Sequence, residues 1–378
     1  VSAASAAVVG AGLMGRQLAG LLACAGEDVA VIDVDGDALA ACRAYHRTNV
    51  GPDLESAGYR PDADLLERLS YASSIPEARL GAEAFCLEAV TEDLDSKRQV
   101  VQALEAATSP ESVIGTNTSS LTAREIADGM AHPERLVLFH FANPPMERDL
   151  VEIAGDRASA ASLRRAEAVA TAIDHWSIVL DRERRGNGLS RLSAAVKCAG
   201  TWELTRSSPD AIESAARAVG FDVGPIALID SIGIDVHLAT VDNLAVEYGA
   251  RFAPPPSVRA DMETMVEAGR LGKKTGEGFF TWTAGEAVVR DGADTAAITP
   301  IVAALVNEAH AMVADGITDR AGIDEILRRG SGGDLGPFDL ESMFGAAALL
   351  DVLEARHAAT EAAIYAPSAS LRERAASE

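Results

Sequence analysis

Residues 138 to 153 read LFHFANPPMERDLVEI, two apolar strand-like runs joined by a turn built on Asn-Pro-Pro. His140 closes the first run and Glu152 lies inside the second, so the turn brings an imidazole and a carboxyl group back toward each other. An imidazole hydrogen-bonded to a carboxylate is held in one orientation, and the cation formed when it accepts a proton is stabilised. Oxidation of an alcohol needs such a general base. A histidine at a strand end, taken alone, is more often structural; the glutamate is what turns the reading toward chemistry.

A second constellation is VVGAGLMG, which sets Gly10, Gly12 and Gly15 around Leu13 and Met14 in G-x-G-x-x-G spacing, directly after a strand-like run and opening a helical pattern. There the glycines allow a tight turn and let backbone amides approach a pyrophosphate at the positive end of a helix, the Rossmann-type fingerprint. The next strand-like run ends in Asp33, 18 residues past Gly15, where a carboxylate accepts ribose hydroxyls and repels a 2'-phosphate. NAD is expected over NADP, with Arg16 and Arg43 as the residues that weigh against that preference. A third cluster, TNTSSL at 116 to 121, falls at the end of another strand-like run. Asn117, Ser119 and Ser120 can face cofactor and substrate there, or cap the following helix; the two uses are compatible.

These residues need a scaffold, and the first half supplies one by alternating strand and helix patterns. Strands are expected at 6 to 10, 28 to 33, 84 to 90, 112 to 118, 135 to 141, 149 to 155 and 175 to 181, with helices from about Leu13, after Asp37, and near 95 to 107, 122 to 129 and 159 to 173. Such alternation implies an α/β fold, a doubly wound and mostly parallel sheet covered on both faces. Beyond the charged run DRERR (181 to 185) long helical periods take over, starting with GLSRLSAAVKCAGTWELTRSS (188 to 208), and only GFFTWTAGEAVVR (278 to 290) reads as a small hairpin. VGPIALIDSIG (223 to 233) aligns with LGPFDLESMFG (335 to 345) at an offset of 112 residues. The second half is therefore expected to be all-α and made of two repeated helical units, each able to cover the other's apolar face. The expected domains are 1–183, 184–290 and 291–378, and a chain that carries its own packing partner is expected as a monomer, with a homodimer as the alternative.

Composition narrows the function classes. The 57 acidic against 33 basic residues give a formal charge of −24, which repels nucleic acid and anionic membrane surfaces. Neither is expected as a partner. No segment approaches the ~20 apolar residues that span a bilayer. Four scattered cysteines, Cys24, Cys42, Cys86 and Cys198, suggest neither a disulfide framework nor a metal site, and point to the cytoplasm.

The motifs GAGLMG, EAVTEDLDSK, TNTSSL, HFANP followed by LVEI, and GRLGKKTGEGFF together resemble the 3-hydroxyacyl-CoA dehydrogenase family across nearly the whole chain. The tandem helical unit is similar to the dehydrogenase part of multifunctional fatty-acid oxidation enzymes. The resemblance implies an NAD-dependent L-3-hydroxyacyl thioester dehydrogenase in which His140 is the base for the 3-hydroxyl proton, Glu152 its partner and Ser119 a hydrogen-bond donor to the reacting oxygen. It also implies that Glu92 and Lys97 line the cofactor site. One departure stands out: RRGNGLSRL replaces the family's P-G-F-[IV]-x-N-R segment, so Ser190 occupies the position of a substrate-contacting asparagine. Asn187, three residues earlier, shares its face if the helix has already begun there. Arg184 and Arg185 read as exposed linker charge or as receivers of an anionic substrate group.

Other readings remain. The acyl carrier is CoA or an acyl carrier protein, as in a specialised biosynthetic dehydrogenase forming a polyketide extender unit. A lysine-based relative, the 3-hydroxyisobutyrate and 6-phosphogluconate dehydrogenases, would use Lys197 but leaves His140 and Glu152 unexplained. A non-catalytic cofactor-binding member fits the loss of the asparagine, while retention of Ser119, His140 and Glu152 favours an enzyme.

Overall fold

A computed structural model describes residues 3–290 and 296–378, and its contacts divide the chain into Val1–Asn187 and Gly188–Glu378. The first unit runs β1 (Ala4–Val9), α1 (Leu13–Cys24), β2 (Val29–Ile32), α2 (Gly36–Thr48), α3 (Val50–Ser56), β3 (Leu69–Ala72), β4 (Leu80–Glu88), α4 (Leu94–Ala107), β5 (Ile114–Thr116), α5 (Ala123–Ile126), β6 (Leu136–Phe141), β7 (Leu150–Ala154), α6 (Ala160–Ala172) and β8 (Trp176–Val179). Its eight strands form one sheet in the order β3-β2-β1-β4-β5-β6-β7-β8. Every pairing is parallel except β6 with β7. The order reverses between β1 and β4, a topological switch point, and open sheets of this kind bind ligands at the carboxyl edge beside it. The glycine turn after β1, Asp33 after β2, and the segments after β4 and β5 all leave the sheet at that edge.

Strands β1, β2 and β6 are buried along their whole length, apart from partly buried Ser5 in β1, which explains why their apolar runs were visible in the sequence. Two elements escaped the sequence reading. The four residues of β3 pair only with β2 at the sheet edge, so LSYA carries no sustained apolar run, and α3 is a single short helix of seven residues. Helix α5 is shorter than expected, ending at Ile126 ahead of Gly129, whose φ is +89°.

The second unit is helical: α7 (Leu189–Glu203), α8 (Pro209–Ala218), α9 (Pro225–Ile232), α10 (Ile234–Tyr248) and α11 (Pro256–Glu267), a two-stranded hairpin of β9 (Trp282–Thr283) and β10 (Glu286–Ala287), then α12 (Thr299–Ala314), α13 (Arg320–Ser331), α14 (Pro337–Phe344), α15 (Ala346–Thr360) and α16 (Ala369–Ala375). The sequence repeat has a structural counterpart. Gly224 and Gly336 precede the eight-residue helices α9 and α14, and Gly233 and Gly345, with φ of +102° and +83°, turn each directly into a 15-residue helix. A positive φ is open to glycine without steric cost, so the kink recurs where the residue recurs. Carboxylates satisfy the free amides at both starts: Glu213 accepts from Gly224 N, Ile226 N and Ala227 N, while Asp324 accepts from Phe338 N and Asp339 from Gly336 N. The expected limit between the two repeats, at 290 and 291, adjoins residues 291–295, which lie outside the described residues. Both repeats belong to the second unit.

What joins the repeats is one long, almost wholly buried helix, α12, packed against α7 and α15. Its Glu308 is fully buried and carries two arginines from the other repeat: Arg191 Nε at 2.6 Å and Arg251 Nε at 2.5 Å. Arg191 also reaches Asp315 at 2.8 Å and lies over the Tyr248 ring. Removing one partner of such a buried pair strands the other charge away from water. Glu308→Ala is expected to cost about 3–5 kcal/mol of stability, read as a lower urea midpoint, whereas Arg372→Ala, which breaks a half-exposed pair with Glu354, is expected to cost less than about 1 kcal/mol.

Candidate active site

His140 and Glu152 are direct cross-strand partners in the antiparallel pairing of β6 and β7. Side chains of opposed residues project on the same face of a sheet, and the imidazole Nδ1 lies 2.7 Å from Glu152 Oε2. Glu152 is fully buried and His140 is 6% exposed. The other ring nitrogen, Nε2, makes no hydrogen bond among the described residues, so the pair presents one unengaged imidazole nitrogen. The turn between the strands contains a cis Asn143–Pro144 peptide. Asn117, beyond the end of β5, accepts from Phe141 N at 3.0 Å and so fastens the residue after His140 to the neighbouring strand end.

A second polar network lies where β4 and β5 leave the sheet. Fully buried Glu88 accepts from Lys97 Nζ (2.9 Å), Val90 N (2.7 Å) and Thr116 Oγ1 (2.6 Å). Lys97, buried on α4, also sits 3.3 Å from Glu92 Oε2. The other oxygen of Glu92 gathers the TNTSSL segment: Thr118 Oγ1 at 2.6 Å, Ser119 N at 2.9 Å, and Ser120 N and Oγ at 2.8 Å, with Ser119 Oγ more distant at 3.4 Å. Burial works against both charges, but the Lys97 ammonium and the Thr118 and Ser120 hydroxyls outweigh it and hold the Glu92 carboxyl below its ordinary value. Burial likewise opposes the Lys97 ammonium, and Glu88 with Glu92 reverses that and raises it. Both groups therefore stay ionised at neutral pH, which fixes the loop after β5 electrostatically. The cap of α5 is Thr122, in a capping box with Glu125, so Ser119, Ser120 and Asn117 are not spent on that helix.

At the glycine turn the three positions have different duties. A Cβ on Gly15 would lie 1.8 Å from Gly10 O, and one on Gly10 2.4 Å from Ala89 O, so both are packing constraints. At Gly12 a Cβ would meet nothing within 4 Å. That open side adjoins the start of α1, which has no side-chain cap and no acid in its first turn, and where Leu13 is 54% exposed with Met14 behind it. Uncapped amides facing open space fit a pyrophosphate. Asp33 braces the turn, accepting from Ala11 N at 2.7 Å and Asp35 N at 2.9 Å, with lone pairs left for ribose hydroxyls. Arg16 and Arg43 lie over the rings of Tyr45 and Tyr71, at 4.3 and 4.5 Å.

Three sequence expectations need correction or addition. Asn187 is not on the helix with Ser190: α7 begins at Leu189, and Gly186 and Asn187 both have positive φ, +77° and +44°, so the chain turns there. Asn187 is nonetheless fully buried, and neither its amide oxygen nor its nitrogen has a hydrogen-bond partner. Arg185 is not exposed linker charge; it is buried and paired with Glu125 at 2.6 Å. Within the same run Glu183 accepts from Ala123 N and, at 3.2 Å, from Arg124 N at the start of α5. Burial pushes its carboxyl up to about 7 despite those amides. Sequence reasoning missed Glu183 and Glu88. A glutamate inside the apolar run AFCLEAV was the available signal for Glu88; inside DRERR there was none, because charge near charge looks solvated.

The chain is similar to known proteins over nearly its whole length. The model of the 3-hydroxyacyl-CoA dehydrogenase NAD-binding domain matches residues 5–184, and that of the family's C-terminal domain matches twice, at 192–282 and 297–378. The fatty acid oxidation complex subunit alpha of Vibrio vulnificus is 34% identical over 198 residues, 52% of this chain and 27% of that protein. The chain thus matches about a quarter of the length of that curated relative. Among solved structures, FadB2 of M. tuberculosis is 27% identical with a TM-score of 0.66 over 75% of this chain and all of its own. The 3-hydroxybutyryl-CoA dehydrogenase of Escherichia coli K12 shares the fold over 100% of this chain and 99% of its own, at 22% identity and a TM-score of 0.83. With the glycine turn, the carboxyl-edge network and both helical repeats accounted for, the chain belongs to the 3-hydroxyacyl-CoA dehydrogenase family, with that family's NAD-binding domain in its first unit.

Proposed function

We propose that the protein oxidises the 3-hydroxyl of an L-3-hydroxyacyl thioester, with His140 as general base. The observation that carries this reading is the 2.7 Å contact between His140 Nδ1 and the buried Glu152 carboxylate. A carboxylate accepts hydrogen bonds and donates none, so Nδ1 carries the ring proton and Nε2 offers its lone pair to the substrate hydroxyl. Glu152 then stabilises the imidazolium formed as the proton leaves the alcohol. Bound NAD supplies the hydride acceptor. Ser119, held through its backbone by Glu92, has its hydroxyl only weakly engaged, 3.4 Å from the same oxygen, and can turn it to the reacting oxygen, while Gly10, Gly12, Leu13, Met14, Gly15, Asp33, Glu92, Lys97 and Asn117 shape the cofactor side.

Ser190 and Asn187 share the role of the family's substrate-contacting asparagine in this proposal. Ser190 brings a shorter group, while Asn187 has an amide with both hydrogen-bonding atoms unspent, which a buried group tolerates poorly unless a ligand completes it. The thioester carrier is CoA or an acyl carrier protein, and the two repeats covering each other's apolar faces support a monomer.

His140→Ala is expected to lower turnover with NAD and an acyl-CoA by roughly a hundredfold or more, with NADH affinity by fluorescence titration nearly unchanged; equal turnover in variant and parent rejects the base assignment. Tight NADH binding with no turnover of any acyl thioester, on CoA or on carrier protein, favours a non-catalytic role instead. Asp33→Ala is expected to weaken NAD binding and narrow the gap to NADP in the same titration; an unchanged preference removes Asp33 from cofactor selection.

A further inference from the structure

Helix α7 carries a polar stripe. Ser190, Ser193 and Lys197 recur at i, i+3 and i+7, the spacing that sets side chains on one helix face. None of the three side chains has a hydrogen-bond or ion-pair partner among the described residues. The two serines are half-buried, but Lys197 is 5% exposed. Within electrostatic range of it stands His237 of α10, 2% exposed, with Nδ1 and Nε2 both buried and both unpartnered.

An imidazole with both nitrogens buried and neither hydrogen-bonded is unusual, since its polar atoms have lost water without gaining a partner, and a buried lysine within electrostatic range adds positive charge there. Burial alone lowers Lys197, to about 8. Burial, then the charges of Lys197 and Arg259, hold His237 well below its ordinary value. Arg259 is itself paired with Asp242 at 2.8 Å and Glu263 at 2.9 Å. No carboxylate of the described residues contributes to either group. The missing element is a negative charge.

We propose that Lys197 and His237 form a carboxylate-binding subsite, and that the substrate's acyl group bears a second, distal carboxylate. The proposal rests on the reading that Ser190 faces the acyl thioester. Seven residues of helix advance about 10 Å, and a lysine side chain leaning back toward the helix start spans about 6 Å of that. What remains suits about three carbon–carbon bonds, the separation between C3 and the far carboxylate of a six-carbon diacid. A carboxylate there supplies charge-assisted hydrogen bonds to the ammonium and the imidazole together.

The test compares two pairs of CoA esters of equal chain length: 3-hydroxyadipyl-CoA with 3-hydroxyhexanoyl-CoA for turnover, and adipyl-CoA with hexanoyl-CoA, which lack the 3-hydroxyl, for binding by calorimetry. The parent is expected to prefer the carboxylated member of each pair, and Lys197→Met, which keeps the side-chain volume, to reduce that preference by about tenfold or more. NADH affinity checks that the variant is folded. No preference in the parent, or the same preference in parent and variant, overturns the subsite. An equal loss on both members also overturns it, because Lys197 would then serve the shared CoA phosphates. Preferential binding of adipyl-CoA without turnover of either hydroxyacyl ester keeps the subsite and sinks the dehydrogenase reading; turnover without preference does the reverse.

Discussion

The first unit depends on one reversal of strand direction. Six strands of its sheet run together, and β7 turns back beside β6. In a parallel arrangement the two residues would have been separated by a crossover connection of a dozen or more residues. The reversal instead lets a short turn place His140 opposite Glu152 in register, in the buried interior of the sheet. Low dielectric strengthens their contact, and it also makes either group costly alone. Pairing is therefore both the condition for burying the imidazole and the means of orienting it.

The same rule governs the other buried charges. Fully buried Glu88 and partly buried Glu92 are tolerated at the carboxyl edge because Lys97, hydroxyls and backbone amides converge on them, and the loop that bears Ser119 is positioned as a by-product. In the helical unit Glu308 is tolerated because Arg191 and Arg251 reach it from the other repeat. Against that background the unpartnered side chains of Asn187, Lys197 and His237 stand out. Among the described residues Asn187 and His237 are the two whose side-chain polar atoms are all buried and all without a hydrogen-bond partner.

Much of this was legible in the sequence. Strands β1, β2, β4, β6 and β7 announced themselves as apolar runs, the glycine spacing fixed the turn after β1, and the 112-residue offset found the kinks at Gly233 and Gly345. The edge strand β3 was not legible, because a strand with one neighbour needs no continuous apolar run. Nor was the fate of the DRERR run: Glu183 and Arg185 are buried by partners sixty residues away, and local charge density carries no trace of distant partners.

By itself, then, the sequence determined periodicity, turn chemistry and the residue types available at each strand end, since these are properties of neighbours along the chain. Only the tertiary structure decided which of those residues meet. His140 and Glu152 could be paired on paper because a short turn joins them. The burial of Lys197 and His237 without a counter-charge, and the helix start that detaches Asn187 from Ser190, could not, because burial and backbone direction are set by elements far apart in sequence.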